Sequence, residues 1–136
     1  MVIDPLETII TWLEAALTGV SGRVAGKHRY GAGWTESQVG VSVHLDGGTP
    51  ELYAAVSTSR FEVRIYAADQ PSVTAVWQAL QALSRNTERF KVTTTKGAAL
   101  VHYFKPVSGL SIPYDDVLRM DVGVVFFEAM IAEAAI

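Results

Sequence analysis

The stretch from Asp121 to about Ala134 constrains the fold more than any other part of this sequence, because a strand there would be apolar on both faces. One face would carry Val122, Val124, Phe126 and Met130, and the other would carry Val125, Phe127, Ala129 and Ile131. Such a strand needs cover on both sides. This apolar run is still shorter than the ~18 residues that a membrane-spanning helix needs, so we expect no contact with a membrane.

The composition indicates that part of the apolar surface is covered by other subunits. The chain has 136 residues, of which 49% are apolar and 18% charged, and its net charge is -3. About 25% charged residues is usual for a soluble domain. The length suits one domain spanning residues 1–136. The acidic balance disfavours an electrostatic nucleic-acid binder, and the lack of cysteine excludes a thiolate nucleophile and a sulfur-ligated zinc.

The N-terminal residues predict an amphipathic helix. Asp4 stands at the N-cap position, Pro5 at the first helical position and Glu7 at the third, a combination that satisfies the free N–H groups of a helix start. The apolar residues that recur at helical spacing are Leu6, Ile9, Ile10, Leu13 and Leu17. Gly19 is the expected end of this helix.

A second helix and several strands follow from the same kind of pattern. The helix is predicted from Asp69 to about Arg85, with an apolar side formed by Val73, Val76, Trp77, Leu80 and Leu83. Residues 20 to 35 could form a short edge strand and a loop. Alternation of apolar and polar residues predicts strands at Val39–Leu45, Leu52–Ala67, Arg89–Thr95 and Ala98–Lys105.

The connections are predicted from turn residues and from changes of phase. Asp46-Gly47-Gly48 predicts a turn, and Lys96-Gly97 predicts a hairpin turn. The apolar alternation slips by one residue between Val56 and Phe61, which predicts a bulge or break near Ser57–Ser59. Pro106–Met120 has neither helical nor strand period, so we expect a long loop there.

The order of helix, three strands, helix and three strands predicts an α+β fold. We expect a mostly antiparallel sheet of about five to six strands with two helices packed on one face. Two helices of this size cover one face of such a sheet, so its other face needs a different partner.

Catalytic constellations are missing from the sequence. His28, His44 and His102 share no ligand spacing, and a metal held by His44 and Asp46 is less expected than a solvated histidine beside a turn. Nucleophile-elbow, phosphate-loop and dinucleotide motifs are absent. We therefore expect no enzymatic activity, no cofactor and no bound metal.

Charge is distributed unevenly along the chain. From Arg85 to Lys105 five basic residues stand against Glu88, and from Asp115 to Ile136 five acidic residues stand against Arg119. Two ordinary solvated faces would explain this. The alternative is that opposite patches meet across a head-to-tail contact between subunits, which can close into a ring.

Three parts of the chain carry a likeness to a known family. They are the opening helix Asp4–Leu17, the strand Arg60–Tyr66 with the helix Pro71–Arg85, and the segment Pro106–Leu110 with its acidic loop and the strand Asp121–Met130. In order, size and the loop before the last strand, the chain resembles the tail terminator (tail completion, or tail-to-head joining) proteins of long-tailed bacteriophages. The likeness covers nearly the whole chain and depends on arrangement, without a sharp motif.

This resemblance implies a structural protein that assembles as a hexameric ring. Such a ring caps the completed tail tube, ends tube polymerisation and presents the surface that joins the head. The implied partners are further copies of the chain, the tail tube protein and the head–tail connector protein, with DNA passing passively through the ring. The implied locations are the head-proximal end of the tail in the virion and, during assembly, the cytoplasm of the infected bacterium.

Candidate contacts with other subunits or with the tube lie in the Asp46–Pro50 turn, in the basic hairpin and in the loop Val107–Met120. They are Asp46, Gly47, Arg89, Lys91, Lys96, Ser108, Gly109, Asp115, Asp116 and Arg119. A plain solvent-exposed connection is the simpler interpretation of each loop. Alternative functions are a head–tail connector (neck) protein, a small hydrolase or isomerase that uses His44, Asp46 or His102, and a small-molecule binding module.

Overall fold

The computed structural model of the chain describes residues 4–17, 24–25, 39–50, 56–85, 90–94, 97–115 and 120–133. These residues form two helices and seven strands of one sheet. In chain order the elements are α1 (Pro5–Ala16), β1 (Val24–Ala25), β2 (Gly40–Pro50), β3 (Val56–Ala67), α2 (Gln70–Arg85), β4 (Phe90–Thr94), β5 (Gly97–Pro106), β6 (Tyr114–Asp115) and β7 (Met120–Glu133).

The strands lie in the order β1-β2-β3-β7-β5-β4, and β6 also pairs with β7. The two-residue strand β1 is parallel to β2, and the other described pairs are antiparallel. The predicted α+β class is therefore confirmed, with five main antiparallel strands and two very short ones. The strand β7, last in the sequence, lies in the middle of the sheet. It pairs with β3 on one side and with β5 and β6 on the other.

Helix α1 begins where the sequence predicts it. The Asp4 side chain accepts hydrogen bonds from the N–H groups of Leu6 at 3.1 Å and Glu7 at 3.2 Å. Pro5 takes the first helical position, where a missing N–H has no cost. The helix ends at Ala16, three residues before the predicted Gly19, which lies outside the described residues.

Helix α2 also matches its prediction. The Asp69 side chain accepts a hydrogen bond from the Ser72 N–H at 2.9 Å. Hydrogen bonds from the Ser72 side chain and backbone lower the pKa of Asp69. On the apolar side, Val73 and Leu80 are fully buried, and Val76, Trp77 and Leu83 pack partly buried against the core.

Both helices pack on the same face of the sheet, called the inner face below. Trp12 of α1 lies edge-on to Phe104 of β5, with 5.3 Å between ring centroids. Phe104 stacks on Phe127 of β7 at 4.2 Å, and Trp77 of α2 contacts the same Phe127 at 6.0 Å. These rings join the two helices through the centre of the sheet, and large aromatic side chains contribute strongly to such a core.

The predicted turn at Asp46-Gly47-Gly48 is wrong, because β2 continues through these residues to Pro50. Leu45 pairs with Phe61 and Gly48 with Ser59, so Asp46 and Gly47 together oppose the single residue Arg60. This is a β-bulge. Gly47 has φ of 90°, a backbone conformation that glycine adopts easily, which is why a turn-like sequence occurs inside a strand.

The predicted break near Ser57–Ser59 is also wrong. Strand β3 pairs with β7 in one unbroken register from Val56 opposite Ala132 to Ala67 opposite Asp121. The backbone pairing of β3 with β7 therefore contains no extra residue at Ser57–Ser59. The irregularity lies instead in β2 and in β5, where His102 is an extra residue between Val101 and Tyr103.

The predicted long loop is, in its described part, a covering for the edge of β7. Residues 107–115, called the strap below, follow β7 where β5 has ended. Ser111 and Val124 exchange two backbone hydrogen bonds at 3.1 and 2.7 Å, and the Val122 N–H donates to the Pro113 carbonyl at 3.0 Å. A strand buried in the middle of a sheet needs these partners, because unpaired backbone groups are costly there. Residues 116–119 of the predicted loop lie outside the described part.

Candidate functional site

The face of the sheet opposite to the helices, called the outer face below, carries the ion pairs and the hydrogen bonds between side chains of the described residues. It holds alternate residues of the two central strands: Thr58, Arg60, Glu62, Arg64 and Tyr66 of β3, and Val122, Val124, Phe126, Glu128 and Met130 of β7. The inner-facing residues of β7 from Val125 to Ile131 are 0% exposed. On the outer face Val124, Phe126 and Met130 are only half-buried. The two faces of β7 are thus both apolar, as predicted, but they are not equally covered.

Opposite charges are paired on the outer face, both between strands and within β3. Three ion pairs between described residues lie there: Arg60 with Asp46, Arg64 with Glu62, and Lys105 with Glu128. Ion pairs this exposed contribute little stability. The six residues of these pairs together carry no net charge.

Asp46 is one of the predicted contact residues, and the bulge explains its position. Its Oδ2 lies 3.4 Å from Nε of Arg60, the residue that the bulge opposes. The guanidinium of Arg60 in turn lies 5.1 Å from the centroid of the Phe126 ring, within the range of a cation–π contact. Asp46 and Gly47 therefore belong to the margin of the outer face and not to a protruding turn.

Tyr103 forms a second polar group on this face. Its hydroxyl donates to Oε1 of Glu128 at 2.7 Å, and Nζ of Lys105 lies 3.9 Å from the same oxygen. Burial raises the pKa of Tyr103, and the hydrogen bond and charge of Glu128 raise it further, whereas a hydrogen bond with Thr58 acts in the opposite direction. Tyr103 consequently remains a neutral hydrogen-bond donor at physiological pH.

One pair of the outer face is buried, which sequence reasoning did not predict. Ser42 of β2 and Tyr66 of β3 alternate with the apolar, inner-facing residues of their strands. Their hydroxyl groups lie 3.2 Å apart, and the residues are 0% and 2% exposed. Alternation identifies their face correctly, but it carries no signal for how much of that face is covered.

The described strap residues that were predicted as contacts all take part in intrachain hydrogen bonds or pairing. The Ser108 hydroxyl accepts a hydrogen bond from the Phe126 N–H at 2.9 Å, so this side chain helps to attach the strap to β7. Gly109 is exposed, and an added Cβ would meet no atom within 4 Å. Asp115 belongs to β6 and pairs through its backbone with Met120.

The predicted contact residues of the basic hairpin are described only in part. Lys91 lies on β4 opposite Leu100 and is exposed. Arg89, Lys96, Asp116 and Arg119 lie outside the described residues. The hairpin itself is as predicted, since β4 and β5 pair antiparallel up to Thr94 opposite Gly97.

The residues considered for catalysis do not come together. His44 and Asp46 lie on β2 and His102 lies on β5, and β3 and β7 separate the two strands. At about 4.8 Å between strands, this separation is roughly 14 Å. His28 lies outside the described residues, within which no group of three or more potential ligands could hold a metal ion. Within the same residues, no helix is long and apolar enough to cross a membrane.

Comparison of the chain with models of known protein families and with curated proteins finds no match to either.

Proposed function

We propose that this chain is a structural subunit of a long-tailed bacteriophage that assembles as a ring on the end of the tail tube. In this role it stops tube polymerisation and provides the surface to which the head is joined. Its partners are the further copies of the chain in a hexameric ring, the tail tube protein and the head–tail connector protein. The ring belongs to the head-proximal end of the tail, and DNA passes through it without specific binding.

The observation that carries this proposal is the unequal cover of β7. Val125, Phe127, Ala129 and Ile131 are fully buried beneath the helices, while apolar side chains on the opposite face of the same strand remain half-exposed. Exposed apolar surface in the middle of a sheet favours contact with another protein. Neutralised charge around it favours a protein partner over a nucleic acid, since phosphates are bound by unpaired basic groups.

The outer face also suits a contact between subunits in which the side chains keep fixed positions. The Asp46–Arg60 pair and the Arg60–Phe126 contact fix a side chain that would otherwise be free to rotate. Tyr103, Lys105 and Glu128 restrain one another in the same way. Side chains already ordered in the free subunit lose less entropy on association, which favours assembly.

Mass measurement of the purified protein over a concentration series, together with negative-stain images, tests ring formation. A second experiment adds the purified protein to growing tail tubes and measures the final length of the tubes. Rings near six subunits in mass and tubes of limited length are expected. A chain that stays monomeric at every concentration and leaves tube growth unchanged would refute the proposal.

A matched pair of variants tests the role of the outer face. Val124→Lys places a charge at its centre, and Ala75→Lys adds the same charge to an exposed position of α2. We expect Val124→Lys to abolish ring formation and tube capping, and Ala75→Lys to preserve both. Circular dichroism establishes that each variant is folded. Equal assembly by the two variants would count against this surface.

A further inference from the structure

The two edges of β7 are covered by different kinds of structure. Successive residues of a strand turn their backbone N–H and C=O groups to opposite sides. The even-numbered residues from Val122 to Phe126 bond to the strap, so the odd-numbered residues between them face β3. On the β3 side the pairing runs in one register over twelve residue pairs. On the strap side the partner is a short segment outside the main strands.

Between Val107 and Pro113, five described hydrogen bonds attach the strap to β7. They run from the N–H groups of Val122 to the Pro113 carbonyl at 3.0 Å, of Val124 to the Ser111 carbonyl at 2.7 Å, of Phe126 to the Ser108 hydroxyl at 2.9 Å, of Val107 to the Phe126 carbonyl at 2.8 Å, and of Ser111 to the Val124 carbonyl at 3.1 Å. The ladder is irregular, because the strap advances by four residues from Val107 to Ser111 while β7 advances by two. The two-residue pairing of β6 with β7 follows it.

The strap adds little to the core. Residues 107–114 are all exposed or half-buried. Two half-buried apolar side chains, Leu110 and Ile112, anchor the strap against the core. Leu110 lies where Gly123 has no side chain, since a Cβ added there would be 3.1 Å from Cδ1 of Leu110. A segment with few buried apolar contacts and solvent-exposed hydrogen bonds opens more easily than the rest of a fold.

We propose that the strap opens and closes as a unit over the edge of β7, while β7 stays paired with β3 and β5. In the open state the even-numbered backbone groups from Val122 to Phe126 bond to water. An open strand edge of this kind pairs readily with an extended segment of another chain. The closed strap is therefore a cover that blocks strand addition at this edge. It acts within a single subunit and does not depend on ring formation.

Amide hydrogen exchange of the purified full-length protein, resolved by residue with NMR, tests the proposal. Val122, Val124 and Phe126 should have protection factors about tenfold lower than Val125 and Phe127, which lie in the same strand but face β3. Low concentrations of urea should accelerate exchange of Val125 and Phe127 more strongly, because opening the short strap exposes little surface. Equal protection of both sets, or an equal dependence on urea, would overturn the proposal.

Glu128 and Met130 provide a control within the same strand. They lie on the same edge of β7 as Val124, but they pair with β5 instead of the strap. We expect their amides to be protected as strongly as those of Val125 and Phe127. Rapid exchange of all the even-numbered amides would mean that the whole β5 side of the strand opens, and it would contradict a separate opening of the strap.

A pair of variants separates opening of the strap from unfolding of the whole chain. Leu110→Ala removes an anchor of the closed strap and should accelerate exchange of the Val124 amide about tenfold. Asp4→Ala weakens the start of α1 and should accelerate the Val125 amide about fivefold while leaving Val124 unchanged. Equal acceleration of both amides by Asp4→Ala, or an unchanged Val124 amide in Leu110→Ala, would show that the strap does not open by itself.

Discussion

Gly123 is the position where one added methyl group most directly tests the packing of β7 against α2. A Cβ at this residue would lie 2.6 Å from Cγ1 of Val73, 3.1 Å from Cδ1 of Leu110 and 3.6 Å from Cβ of Ile65. Carbon atoms pack best at about 3.5–4.0 Å, so the contact with Val73 is about 1 Å too close. Val73 is fully buried and its branched side chain has one strongly preferred rotamer in a helix, so it cannot rotate away easily.

Gly123→Ala should therefore destabilise the fold. Overpacking of this kind costs about 1–3 kcal/mol. Replacing glycine by alanine also lowers the entropy of the unfolded chain, which stabilises the fold by about 0.4–1 kcal/mol. The net expectation is a loss of about 1–2 kcal/mol in the free energy of unfolding. Urea denaturation followed by tryptophan fluorescence measures it, because Trp12 and Trp77 report on the core.

Gly109→Ala is the matched control, because a Cβ there meets nothing within 4 Å. We expect it to be neutral or slightly stabilising. The double variant Val73→Ala with Gly123→Ala removes the clashing atom, so its loss should be smaller than the sum of the two single losses. Additive losses, or a Gly123→Ala protein as stable as Gly109→Ala, would refute the close approach of α2 to β7.

Three further predictions concern the helix cap, the bulge and the tyrosine of the outer face. Asp4→Ala removes the acceptor for the Leu6 and Glu7 N–H groups and should cost about 1 kcal/mol in thermal unfolding, whereas Asp4→Asn should retain most of the stability. Gly47→Ala should cost about 1 kcal/mol in urea denaturation, because its φ of 90° disfavours any side chain although the surrounding space is open; an unchanged midpoint would contradict this. The raised pKa of Tyr103 stabilises the fold in full below the unfolded value near 10, and this contribution is lost as the pH rises through the folded value. Tyr103→Phe should flatten the loss of stability above pH 10, measured by denaturation across an alkaline series, and equal losses in both proteins would exclude this role.

The helices could be predicted from the sequence because their signals are local. Asp4 and Pro5 at the start of α1, and Asp69 before α2, act on backbone groups within four residues of themselves. The inner-facing side of each helix follows from the helical period. Trp12 was not included in the predicted apolar face of α1, yet it contacts both Phe90 and Phe104.

The candidate contact surface was less predictable than the fold. The sequence suggested turns and loops as contacts, whereas Asp46 lies at a bulge within β2 and Ser108 is bonded to the backbone of β7. A bulge depends on the register between two strands, and that register involves residues far apart in the chain. Aperiodic sequence such as the strap gives no signal that it will follow a distant strand edge.

By itself, the sequence determined the two helices, the presence of the main strands and which side of each helix is apolar, because caps and periodicity act over a few residues. It also determined that β7 is apolar on both faces. Only the tertiary structure decided that β7 lies between β3 and β5 and that the strap completes its pairing. Those features depend on which distant strands become neighbours, and side-chain patterns within one strand do not specify its neighbours.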